Sequence, residues 1–158
     1  MDTTATLAAL ASAAGRGMLA GVAGTAAMTV SSTLEARLRG RGGSSTPEQA
    51  AGAVLGVRPR DESGERRFNT LVHWGYGTMW GAVRGVIGAA TGAAGVPAAL
   101  AHLLVVWGAE QAVLPATGSA PPAWRWGAAE VGVDLLHHAV YAAAAGAAYD
   151  LLTAAGRP

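Results

Sequence analysis

Eight ionisable side chains interrupt otherwise apolar stretches of this sequence: His73, Arg84, His102, Glu110, Glu130, Asp134, His137 and His138. They include every histidine in the chain. An imidazole exchanges its proton near neutral pH and offers a lone pair to a metal, and a neighbouring carboxylate can share that proton or cation. In hydrocarbon an ionised side chain costs about 2.5–3.5 kcal/mol or more, so such residues face a bundle interior or water and mark a site. The spacing allows convergence. At 100° per residue, Glu130, Asp134, His137, His138 and Tyr141 fall within roughly 100° of one helix face. His73, Trp80 and Arg84 share roughly 40° of a second helix, and His102 and Glu110 lie within roughly 80° on a third. Thr25, Thr29 and Ser32 line up as hydroxyls on a fourth.

Depth orders these groups. With a rise of about 1.5 Å per residue, His73, Glu110, Glu130 and Asp134 form one layer roughly 5–10 Å inside one membrane boundary. His102 with His137 or His138 forms a second near the middle, and Arg84 lies further out. Three carboxylates against one arginine call for a neutralising proton, a charged histidine or a bound cation. Three roles fit: a structural hydrogen-bond network that sets helix register, a proton or ion pathway, and a metal or haem b site. For a metal, the expected ligand set is His73, Glu110, Glu130, Asp134 and His137, and paired histidines would serve haem. The Glu-x-x-His spacing of di-metal bundles is approached but not met at Glu130, while Asp134-x-x-His137 has i, i+3 spacing on one helix alone. No cofactor is required by these residues. No phosphate-binding glycine loop, nucleophile elbow or HExxH motif occurs, and no catalytic residue is assigned. The chain has no cysteine, which excludes disulfides and thiolate chemistry.

The elements that must position these residues are helices. Hydrophobic residues make up 51% of the chain and charged residues only 13%, about half the charged share of an ordinary soluble domain. Lipid accounts for the missing polar surface. Four apolar segments, about 17–36, 68–90, 96–114 and 126–152, are each long enough for a hydrocarbon layer that takes about 20 helical residues. The expectation is an all-α, four-helix transmembrane bundle in a single domain of 158 residues. A soluble Ala-rich bundle is the structural alternative. The polar connection at about 37–67 holds Ser45-Thr46-Pro47-Glu48, a capping-box start followed by apolar residues, which predicts a short interfacial helix. Leu114-Pro115 through Pro121-Pro122 reads as a rigid turn.

Arg37, Arg39, Arg41, Arg58, Arg60, Arg66 and Arg67 all fall in or beside that connection, and Arg125 falls in the third one. By the positive-inside rule both connections are cytoplasmic and both termini lie outside. The formal net charge of +1 provides no basic field for nucleic acid. Gly77, Gly81 and Gly85 form two GxxxG steps, and Gly17 and Gly21 form another, which suits close helix packing within the chain or a homo-oligomer.

The Gly/Ala-rich first span, His73-Trp74-Gly75, and Pro115-x-x-Gly118-x-x-Pro121-Pro122 ahead of a Glu- and His-bearing last span resemble the YagU-like family of bacterial inner-membrane proteins. The resemblance covers about two-thirds of the chain and implies a multi-span inner-membrane location and a connection with acid tolerance. The long Arg-rich first connection departs from the family pattern. The functional expectation is a small, non-enzymatic membrane protein of a bacterial inner membrane whose interior His/carboxylate cluster handles protons or cations. The alternatives are a metal- or haem-dependent membrane enzyme or electron carrier, and an accessory subunit of a larger membrane complex.

Overall fold

The computed structural model describes residues 2–42 and 45–156. Met1, residues 43–44 of the first connection and residues 157–158 lie outside the described residues. Five α-helices follow one another: α1 (Thr3–Leu38), α2 (Thr46–Leu55), α3 (Glu62–Thr91), α4 (Gly95–Thr117) and α5 (Ala128–Ala155), with a 3-10 turn at Ala123–Arg125. Among the described residues there is no strand.

The helix ends follow local chemistry. Asp61 caps α3, its side chain accepting the Gly64 N–H at 2.7 Å and the Ser63 hydroxyl at 2.8 Å. These donors hold its carboxyl below the usual carboxylate range. In α2 the expected capping box is only half made. Ser45 precedes the helix and Pro47 sits in its first turn, but the Ser45 hydroxyl accepts from the Gln49 side chain at 2.8 Å and caps no backbone N–H. Burial against α3 pushes the Glu48 carboxyl up from its ordinary value. Glycines in the left-handed region close α2, α3 and α4 at Gly56, Gly92 and Gly118. The turn expected from Leu114 starts later, because Pro115 falls in the last turn of α4. There the Thr117 hydroxyl donates to the Val113 carbonyl at 2.9 Å and the helix runs on to Thr117.

The four long helices form an up-down ring in which α1 packs on α3 and α5, α4 completes the circuit, and α2 lies across one end against α3 and α4. The α1–α3 seam keeps a strict antiparallel register. Gly17 faces Gly81 and Gly85, Gly21 faces Gly77 and Gly81, Thr25 faces Gly77, and Thr29 meets His73. A Cβ on Gly21 would stand 2.9 Å from the Gly81 Cα, so only bare backbone fits. The glycine faces expected to serve either the chain or a second copy are therefore occupied within the chain, and a homo-oligomer would have to use other surface. Two tyrosines of α5, eight residues apart, add hydrogen bonds to glycines eight residues apart on α3: the Tyr141 hydroxyl donates to the Gly77 carbonyl at 2.5 Å, and that of Tyr149 to Gly85 at 3.4 Å.

The buried positions are mostly small residues, and many large apolar side chains are exposed. The largest fully buried side chains are Arg84, His102 and Thr25, whereas Leu19, Leu71, Met79, Leu104 and Leu136 face outward. Between Arg16 and Glu35 on α1, from Gly95 to Ala109 on α4, and from Leu135 to Tyr149 on α5 there is no charged residue other than histidine. In α3 from Phe68 to Thr91 the one charge is the buried Arg84. The uncharged part of α1 spans about 27 Å, close to the roughly 30 Å of a bilayer's hydrocarbon core. Two helices, Thr3–Leu38 and Gly95–Thr117, are long and apolar enough to cross a membrane. Helices α3 and α5 have the length but not that degree of apolar character over one continuous stretch.

Candidate functional site

The polar stripe of α5 serves three neighbours in angular order. Taking Glu130 as zero, His137 lies at about −20°, Tyr141 at about 20°, Asp134 at about 40° and His138 at about 80°. His137 and Glu130 turn to α1, Tyr141 to α3, and Asp134 and His138 to α4. One stripe thus becomes two clusters divided by Tyr141.

The first cluster, between α4 and α5, joins Glu110, Asp134 and His138, each partly buried, with one ligand atom from each lying within 4.8 Å of the others. His138 Nδ1 lies 2.9 Å from the Asp134 backbone carbonyl, which only accepts, so the proton of the neutral ring sits on Nδ1. That leaves the Nε2 lone pair directed at Glu110 Oε2, 3.4 Å away. Trp107 Nε1 donates to Asp134 Oδ2 at 2.8 Å and fixes the carboxylate orientation. Two acids therefore face one imidazole with no arginine among them. Such a set of oxygen and nitrogen donors can share a proton or hold a divalent cation.

The second cluster joins the end of α1 to the start of α5. Glu35 accepts from Arg39 at 3.1 Å and from Arg41 at 2.5 Å, and Arg39 reaches across to Glu130. His137 lies just inside, with Nδ1 2.8 Å from the Ser31 hydroxyl and Nε2 3.7 Å from Glu35. Glu130, expected in the interior layer with Asp134, is instead 51% exposed and bound to Arg39. By sequence Arg39 and Arg41 belong to the polar connection and Glu35 to the last residues of the first apolar segment, with no sign that they reach Glu130; they do so because α1 continues to Leu38 and carries them up to the first turn of α5.

The remaining expected residues do not join either cluster. His73 Nε2 lies 2.7 Å from the Thr29 hydroxyl, which donates to the Thr25 carbonyl at 2.7 Å and so must accept from the imidazole. His102 donates through Nε2 to the Trp80 carbonyl at 2.9 Å and packs on Tyr141, while its Nδ1 is buried without a partner. Of the metal ligands expected from sequence, Glu110 and Asp134 meet, with His138 beside them, whereas His73, Glu130 and His137 pair elsewhere. The physical reason is rotation about α5, since His138 is the edge of the stripe nearest α4. The four imidazoles are held by four different partners.

Arg84, 0% exposed, pairs through Nη2 with Asp150 at 2.6 Å and lies 4.6 Å from the centroid of the Tyr149 ring. Asp150 went unnoticed in the sequence because it stands at the end of the fourth span, where an acid reads as the beginning of polar surface. The signal was present in Arg84 itself, a buried cation that requires a counter-ion. Comparison with protein families, curated proteins and solved structures finds no match to this chain. The chemistry of the site rests on its own geometry.

Proposed function

We propose that this chain is a four-span, non-enzymatic protein of a bacterial inner membrane that takes up a cation, a proton or a divalent metal ion, at Glu110, Asp134 and His138. The observation that carries the reading is the meeting of these three donors within 4.8 Å at one end of a bundle whose outer surface is apolar. The pair of carboxylates carries up to two negative charges, and the one imidazole can offset at most one. A cation supplies the balance. Glu130, Arg39, Glu35 and His137 lie at the neighbouring end of α5 and form a polar approach from the Arg-rich side.

Four spans are supported by outward-facing large apolar residues on all four long helices and by the long uncharged stretches within them, which the buried Arg84 alone interrupts. The arginines of the first connection favour a cytoplasmic position for α2, with both termini outside. The chain has no cysteine, so single-cysteine labelling tests this directly. In intact cells and inverted vesicles, Ser63→Cys should react from the cytoplasmic side only and Thr91→Cys from the opposite side only. Reaction of both from one side would remove α3 as a span.

The cation site is tested on detergent-purified protein by manganese titration followed by electron paramagnetic resonance, with a visible spectrum as control. Wild type should bind near one ion per chain, and Glu110→Gln or Asp134→Asn should weaken binding at least tenfold. If manganese does not bind, proton flux into liposomes should fall in the same two variants. Unchanged behaviour in both assays would reduce the cluster to a structural network, and a Soret band would replace the proposal with haem chemistry.

A further inference from the structure

We propose that the cleft between α1 and the far ends of α3 and α5 binds a phosphate group, held between Arg16 and Arg84. This site lies at the opposite end of the bundle from Glu110 and Asp134 and stands independently of the cation proposal. The cleft has a volume of about 380 Å³ and is lined by Ser12, Arg16, Gly88, Tyr149, Asp150 and Thr153, among others. Arg84 lies beneath its floor. A Cβ on Gly88 would stand 3.1 Å from Arg84 Nη1 and 3.1 Å from the Tyr149 ring edge, so Nη1, itself fully buried, lies directly beneath the bare Gly88 backbone that lines the cleft.

Arg84 is fully buried, yet its Nε and Nη1 have no hydrogen-bond partner, and Arg16 Nε is buried and unpartnered as well. These N–H groups need acceptors. Asp150 does not supply them, since one of its oxygens takes Arg84 Nη2 at 2.6 Å and the other takes the Gly95 N–H at 2.8 Å. Arg16 otherwise holds only the Ser12 hydroxyl, through Nη1 at 3.1 Å. Two arginines against one fully engaged carboxylate leave a positive charge in excess. A ligand that fits has several acceptor oxygens and no proton to donate, and arginine forks match the spacing of phosphate oxygens. In the proposed topology the cleft opens at the outer boundary of the bilayer, the depth of phosphodiester headgroups. A lipid phosphate and free inorganic phosphate share the chemistry.

The test uses the full-length protein in detergent. Intrinsic tryptophan fluorescence would be titrated with dihexanoyl-phosphatidylglycerol, inorganic phosphate and, as a phosphate-free control, dihexanoylglycerol. Wild type should show saturable binding of at least one phosphate compound and none of the control. Binding of the lipid alone identifies a headgroup site, whereas binding of inorganic phosphate identifies the ion itself as sufficient. Arg16→Gln, at a partly exposed position, should fold normally and weaken binding at least tenfold; Gly88→Ala should weaken it by filling the space a phosphate oxygen needs to reach Nη1. The proposal is overturned if neither phosphate compound binds wild type, if Arg16→Gln binds as wild type does, or if the control binds equally well.

Discussion

Two alanine substitutions in α3, six residues apart, should change stability in opposite directions. Gly81 lies in the α1 seam, where a Cβ would stand 2.6 Å from the Gly21 amide nitrogen and would overlap the Gly17 carbonyl. Gly75 has nothing within 4 Å. To bring the new methyl at position 81 to an ordinary contact of about 3.5–4 Å, α1 and α3 must part by about 1 Å. Overpacking of this kind costs about 1–3 kcal/mol. The same displacement stretches the Tyr141–Gly77 and His73–Thr29 hydrogen bonds, at 2.5 and 2.7 Å, and each is worth about 1 kcal/mol. Gly81→Ala should therefore lower stability by about 2–4 kcal/mol. Gly75→Ala meets no obstacle and removes a helix-weakening glycine, which should raise stability by up to about 1 kcal/mol. Reversible unfolding in mixed detergent micelles, with SDS as denaturant and tryptophan fluorescence as signal, measures both. If the two variants shift stability in the same direction, or if Gly81→Ala lies within about 0.5 kcal/mol of wild type, close backbone contact is not what holds α1 to α3.

Asp150→Ala strips Arg84 of its counter-ion and should cost about 3 kcal/mol, the low end for a broken buried pair because Asp150 is 32% exposed. Adding Arg84→Met should recover more than half of that loss in the same unfolding assay, and a double variant no better than the single one would contradict the pairing. Tyr141→Phe leaves the ring in place and removes the donor to Gly77, so a loss of about 1 kcal/mol is expected without change in helix content by circular dichroism. The cap at Asp61 has a definite pH sign. Its carboxyl is held below the ordinary range by the Gly64 N–H and the Ser63 hydroxyl, so the stabilisation is present above the ordinary carboxylate value and is lost as pH falls through the lowered one. Protection of the amides at the start of α3, taken relative to the intrinsic exchange rate at each pH, should fall on acidification in wild type and show no such step in Asp61→Asn, which keeps a cap but not the charge.

Glu130 through Tyr141 share one face of α5, and that much is arithmetic at 100° per residue. Yet a face about 100° wide in a ring of four helices looks at more than one neighbour, and angles of a few tens of degrees decided that His138 would meet Glu110 and His137 would meet Glu35. Helical periodicity has no means of saying where α1 and α4 stand around α5. The length of α1 had a similar effect. Its last turn carries Glu35 past the apolar span and brings Arg39 to Glu130, so an acid expected in the interior forms an ion pair at the helix ends.

By itself the sequence determined the helical class, the presence of four long helices, and the glycine steps that allow α1 and α3 to touch through backbone; it did not show that α1 begins as early as Thr3, well before the expected start at about 17. What it determined follows from composition, local capping and small side chains, which act over a few residues. Only the tertiary structure decided which polar groups meet: that Gly17 and Gly21 spend their bareness on Gly77, Gly81 and Gly85, that Arg84 finds Asp150, and that Glu110 and Asp134 share His138. These pairings join residues far apart in the chain, and they depend on the rotation and axial offset of each helix, quantities set jointly by every seam in the ring.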